Sequence, residues 1–188
     1  MNPQADHATS DHSKHKGGLN PYVRFAGMIA TSTIVMFVLT YTNVFDVAHI
    51  HFSQERLYMA IVMGAAMAIV MLGWMWKMHP DRRINVAIIA GAIVVGVAAF
   101  LFSQTQAFVY DANYMRGMIP HHSIAILTSE RAGIQDVRVR ELADEIIEAQ
   151  RREIAEMEWL LQDIQENGVA DTQAEADARP VPSFEGTP

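Results

Sequence analysis

The chain is 188 residues long, 51% hydrophobic, and carries a formal net charge of −7 with no cysteine. The negative balance argues against a nucleic-acid binder, whose affinity comes from neutralising phosphates. Without a thiol, disulfide frameworks and cysteine nucleophiles are excluded, and 12 methionines and 8 histidines remain as the soft and borderline metal ligands.

Residues 1–21 are polar and place His7, His12 and His15 among Asp, Ser and Lys, a composition that predicts a disordered tail with at most weak metal binding. Residues 22–102 are predicted to form a three-span membrane domain, because the runs 22–45, 57–76 and 84–102 are each long enough to cross a bilayer. None of them holds Asp, Glu or Lys, and Arg24 lies at the very start of the first. Short-loop charges orient the spans: Lys14, Lys16 and Arg24 precede the first, Lys77, Arg82 and Arg83 join the second to the third, and the intervening loop has only Arg56. The two richer segments share one side, which predicts a cytoplasmic N-terminus and everything after residue 102 on the periplasmic or extracellular side of a bacterial-type inner (plasma) membrane. Trp74 and Trp76 beside Lys77 suit the cytoplasmic interface. The first run is too long for a removed signal peptide and lacks a small-residue cleavage site, so it reads as an uncleaved anchor. From residue 103 onward 16 acids face 7 arginines, which concentrates the negative charge on the outer side.

The second span carries Met59, Met63, Met67, Met71 and Met75, each four residues after the last. A four-residue step drifts about 40° around an α-helix, so this row winds as a spiral rather than a straight seam. It is either packing or a path of thioethers for a soft ion, and the M-x-x-x-M step resembles that of the second span in the three-span copper transporter family. Ala60, Gly64 and Ala68, with Ala92 and Gly96 in the third span, would let helices approach closely. The loop before the second span holds His49 and His51 beside Asp46 and Glu55. It is read either as a metal relay or as a connector with incidental histidines.

Residues 103–168 follow as a helical pair. Asp111 is the expected N-cap of the first helix and Gly133 its end; Asp136 caps a second helix running to about Glu166, before Asn167 and Gly168. Within the first helix, DANYMRGMIPHHSIAIL joins two thioethers to two imidazoles, donors suited to Cu(I) or Ag(I). At roughly 100° per residue, Met115, Met118, His121 and His122 fall within about a third of the circumference. Pro120 removes the partner of the Arg116 carbonyl and should bend the helix, either closing a site or only deforming it. On the second helix Val139, Leu142, Ile146, Ile147, Ile154, Met157, Leu160, Leu161 and Ile164 form an apolar stripe, so the two helices should pack as an antiparallel αα-hairpin. Gln150, Glu153 and Met157 border that stripe, with Met157 expected as a direct ligand and Gln150 and Glu153 as supporting polar groups. Two helices make a thin core, which predicts a homodimer or higher homo-oligomer that completes a four-helix bundle. Residues 169–188, rich in Ala, Asp and Pro, are expected to be a disordered tail.

The run MRGMIPHHSIAIL with the downstream EAQRREIAEMEWL resembles the DUF305 family across about residues 105 to 165. This is a ferritin-like group of helical domains that includes periplasmic copper-binding proteins. The resemblance implies copper or silver bound by Met and His on antiparallel helices, with Met115, Met118, His121 and His122 matching the first-helix motif and Gln150, Glu153 and Met157 the second. Ser123 and Leu127 stand where many members carry Gln and Met.

A di-iron enzyme would need repeated E-x-x-H, which does not occur, and neither do G-x-S-x-G, Walker or H-E-x-x-H motifs. The expected fold is therefore an all-α membrane protein with three transmembrane helices followed by an extracytoplasmic antiparallel αα-hairpin, a ferritin-like half-bundle. Its expected function is Cu(I) or Ag(I) binding for sequestration, handling or resistance, without enzymatic activity and with the lipid bilayer as its one definite partner. The alternatives are an oligomer conducting metal along the Met spiral, and a membrane scaffold that binds no metal.

Overall fold

The computed structural model describes residues 20–186, and the His7, His12 and His15 tail lies outside them. Six α-helices follow one another: α1 (Pro21–Leu39), α2 (Gln54–Trp74), α3 (Arg82–Thr105), α4 (Asp111–Arg131), α5 (Val137–Asn167) and α6 (Gln173–Ala178), with no strand among the described residues. Three of them, α1, α2 and α3, are long and apolar enough to cross a membrane.

The spans begin and end differently from the hydropathy pattern. The first run was expected to reach Phe45, but α1 stops at Leu39. Thr40 and Thr42 donate their hydroxyls to the carbonyls of Phe37 and Leu39 at the helix end. The chain then turns away, and Phe45 serves a different core. The second and third helices start earlier than the runs 57–76 and 84–102, because Ser53 accepts from the Arg56 amide and Asp81 from those of Arg83 and Ile84. Capping, which hydropathy does not register, sets both starts.

Helix α2 is central, packed against α1 on one side and α3 on the other. Small residues permit this. A Cβ placed on Gly64 would lie 2.6 Å from the Thr33 hydroxyl of α1, and one on Gly96 3.0 Å from the Ala65 Cβ.

At the far end of α3 the chain reverses through Gln106 (φ 50°) and Phe108 (φ 64°), both left-handed and unusual for residues with a Cβ. The reversal is tied to α2. Tyr58 donates its hydroxyl to the Ala107 carbonyl at 2.8 Å, and Glu55 accepts from Ser103 at 2.6 Å and from Gln106 at 3.2 Å. This anchoring sets where α4 starts relative to α2.

Helices α4 and α5 pack against each other around fully or nearly fully buried Ile119, Ile126 and Ile154, with Ile147, Met157 and Leu161 alongside. Arg140 donates to the Ser129 carbonyl at 2.9 Å and His122 faces Glu153, so contacts rise along one helix as they fall along the other. Asp111 was expected to cap α4, yet it lies inside the first turn, and Tyr110 holds the cap position without a side-chain bond. The helix ends at Arg131, before Gly133, because Ala132 has already turned extended. It runs through the buried Pro120 without interruption. Asp136 caps α5 as expected, accepting from the Arg138 amide at 2.9 Å.

Two further segments complete this core. Phe45, from the α1–α2 loop, packs on the Ile119, Ile126 and Ile154 cluster. The 169–188 segment, expected as a disordered tail, contains α6 in its described part, held by a capping box between Thr172 and Glu175 and by Arg179 paired to Asp163 at 2.6 Å.

Replacing Gly64 by Leu should cost about 1–3 kcal/mol by forcing α1 away from α2, whereas the same change at Gly91, which has open space, should be near neutral. Unfolding of the purified protein in mixed micelles measures the difference.

Candidate metal site on α4 and α5

The donors of α4 separate onto two faces. Met115 is buried and shares a cavity of about 440 Å³ with Met157 of α5, roofed by Ala176, Arg179 and Val181 of the C-terminal segment. Met118 and His121 line a different cavity of about 350 Å³, opposite Gln54 and Glu55 at the start of α2. His122 turns to α5, its Nδ1 3.1 Å from Glu153 Oε2, and its ring centroid is 6.0 Å from that of His121. The single angular sector read from the sequence is thus divided, because α5 covers one edge of it and α2 the other. Gln150 is half-buried on α5, one turn before Glu153. Among the described residues no three His, Asp or Glu side chains converge as a metal site.

Burial favours the neutral form of His122. Burial lowers its pKa below 6.5, the Glu153 carboxylate opposes that shift, and His121 adds to it. The 3.1 Å approach lacks hydrogen-bond geometry, which leaves Nδ1 buried and without a hydrogen bond among the described residues. A neutral imidazole with an unused nitrogen is the form that binds metal.

The α1–α2 loop, read from sequence as a relay or an idle connector, lies directly on this pair of helices. Ser123, fully buried, accepts from the Phe45 amide at 2.8 Å and sits 2.9 Å from His49 Nδ1. His51 stands near Glu158 of α5 and Arg116 of α4, its Nε2 buried without a hydrogen-bond partner among the described residues. Burial lowers its pKa first, Glu158 raises it, and Arg116 and His49 lower it again. Arg151 lies over the Phe45 ring, 5.6 Å from its centroid, and pairs with Glu130 at 2.6 Å. Ser123 and the loop histidines belong to the site's surroundings; for the loop the sequence leaves two readings open, and for Ser123 it shows only a departure from the family pattern. The methionines of α2 are divided: Met59 is exposed, while Met63, Met67, Met71 and Met75 are half-buried.

DUF305, a domain of unknown function, matches residues 111–186. An uncharacterised protein, L153, of Acanthamoeba polyphaga mimivirus is 33% identical over 143 residues, covering 71% of this chain and 91% of the relative. The chain belongs to the DUF305 family. Similarity to the viral protein extends beyond what the DUF305 segment alone could supply, so it also takes in helices before Asp111. The DUF305 match also runs past residue 168 into α6, in keeping with the C-terminal segment being part of the folded unit. No solved structure matches.

Two outcomes test this geometry. Ser123→Ala leaves the Phe45 amide without its acceptor and should cost about 1–3 kcal/mol in unfolding free energy, where Thr128→Ala on the exposed face should cost little. For His122, the unfolded chain takes up its proton first as pH falls below 6.5, so stability declines from there down to the lower folded pKa and then levels. NMR titration of its ring should give a midpoint below 6.5, and lower still in Glu153→Gln, which removes the opposing charge.

Proposed function

We propose that this DUF305 protein is a membrane-anchored binder of Cu(I) or Ag(I), with α1, α2 and α3 in the bilayer and α4 and α5 on the extracytoplasmic side. The observation that carries the reading is that α4 presents soft donors on both faces, Met115 opposite Met157 and Met118 beside His121, each pair walling a cavity. Thioether and imidazole donors favour soft monovalent ions, which accept low coordination numbers, over hard cations that need several oxygens. His122 supplies an imidazole between the two faces, its pKa lowered by burial, and Glu153 stands beside its ring. The acidic surface of α5 and its surroundings raises the local cation concentration, and the basic flanks of the second turn favour a cytoplasmic N-terminus.

Oligomerisation belongs to the same proposal. Val137, Val139 and Leu142 at the start of α5 are 79%, 49% and 55% exposed, an apolar strip that a second copy would cover as a ferritin-like four-helix bundle. A second reading, conduction of the ion through the membrane, is favoured by one feature. The Met118–His121 cavity opens against the start of α2, whose first turns lead to Met59 and Met63.

Titration of the full chain in lipid nanodiscs with Cu(I) against a competing chelator tests the binding reading. Met118→Leu with His121→Ala and His122→Ala should remove the tight binding that α4 supplies, read as a drop in the number of Cu(I) ions bound per chain, while helicity stays unchanged. An undiminished number would sink the reading, and absence of metal from the wild type would favour a purely structural scaffold. For conduction, Met63→Leu with Met67→Leu should stop Ag(I) flux into vesicles, and unchanged flux would remove that role.

A further inference from the structure

A second set of soft donors lies at the opposite end of α2. After Trp74 the chain makes a short 3-10 turn, Trp76–Met78, and reaches His79, which is only 5% exposed. His79 Nδ1 lies 3.1 Å from the Met75 carbonyl oxygen. A carbonyl can only accept, so Nδ1 carries a proton, and in the neutral ring Nε2 then keeps its lone pair. The ring is fixed between Tyr22 and Phe25, with centroids 5.0 and 5.4 Å away. Its backbone carbonyl accepts from the fully buried Asn85 at 3.1 Å, and Asn85 Oδ1 in turn accepts from the Tyr22 hydroxyl at 3.1 Å.

Every polar atom of that side chain is therefore accounted for except one. Nε2 is shielded from solvent and has no hydrogen-bond partner among the described residues, and a buried polar atom left in that state calls for a ligand or a water. His79 walls a cavity of about 350 Å³ together with Met28 of α1, Met75 and Met78. The remaining lining is Pro21, Phe25 and Arg24, and Arg24 is exposed. A buried water needs two to four polar partners, roughly, and this lining offers it few. Three thioethers share that lining with the imidazole, Met75 half-buried and Met28 and Met78 exposed at 37% and 68%, and together with an imidazole nitrogen they are donors suited to a soft ion.

We propose that His79 Nε2, with the thioethers of Met75, Met78 and Met28, forms a second site for a soft monovalent cation, Cu(I) or Ag(I), at the end of the membrane-length helices remote from α4. The site is built independently of the donors on α4 and α5. Met75 belongs both to this site and to the methionine row of α2, so the row ends on a ligand cluster rather than in solvent. The exposed guanidinium of Arg24 disfavours multiply charged ions more than monovalent ones, which sharpens selection for the monovalent class.

The full chain, labelled with 15N at histidine and held in lipid nanodiscs, is titrated with Ag(I). The His79 Nε2 resonance, assigned by its loss in His79→Asn, should begin at the position of an unprotonated ring nitrogen and move on Ag(I) addition. Met75→Leu with Met78→Leu, which leaves the imidazole and its bond to the residue 75 carbonyl in place, should shift the midpoint of that movement to higher Ag(I). An Nε2 resonance that stays put at saturating Ag(I), or one that starts at the protonated position, overturns the proposal. The same spectra report His121 and His122 separately, so failure at His79 and failure of the site on α4 are read independently.

Discussion

The hydroxyl of Ser123 joins parts of the chain 78 residues apart by accepting from the Phe45 amide. Much of the arrangement around α4 and α5 depends on that bond. It holds the α1–α2 loop on the paired helices, seats the Phe45 ring on Ile126 and Ile154 with Arg151 above it, and brings His49 within 2.9 Å of the same hydroxyl. A buried amide must find an acceptor, and in the middle of α4 the helix claims the backbone carbonyls apart from that of Arg116, which Pro120 leaves without its usual donor. A side-chain oxygen on the covered face is the acceptor used, and a serine fits where a longer residue would hold the loop away.

From this attachment follows the placement of the candidate donors. Helix α4 is contacted on one side by α5 and the folded-back C-terminal segment, and on the other by the start of α2. Its soft residues are consequently shared between two cavities rather than gathered at one point. Glu55 and Tyr58 fasten the left-handed reversal at Gln106 and Phe108 to α2, and so hold the second cavity against the apolar helices. The proposed metal handling draws on that continuity. One helix, α2, has the Met118 and His121 cavity at its beginning and the His79 cluster just past its end, with a spiral of methionines between them.

Local rules reached a long way into this fold. The three apolar runs correspond to three helices because only a helix satisfies its own backbone over so long a stretch without polar residues. The Asp136 cap and the Gly168 end of α5 follow from side-chain and left-handed-region chemistry that acts within a turn. Close approach at Gly64 and Gly96 follows from the absence of a Cβ. The 40–45 segment misled for a physical reason: Val44 and Phe45 continue an apolar run, and hydropathy does not distinguish burial in lipid from burial against Ile154. The C-terminal segment did carry a signal, the Thr172 and Glu175 capping box, which its Ala, Asp and Pro content obscured.

What the sequence determined by itself is the inventory: helical spans, an amphipathic helical pair, the absence of thiols, and a thioether and imidazole motif within one sector of α4. These depend on neighbours in the chain, where spacing of 3.6 residues per turn and side-chain type suffice. What only the tertiary structure decided is which donors share a cavity, that burial lowers the pKa of His122 beside Glu153, that the loop with His49 and His51 belongs to the α4–α5 unit, and that His79 is buried with one nitrogen unclaimed among the described residues. Each of those depends on desolvation and contact between residues far apart in sequence, and neither quantity is a property of a local pattern.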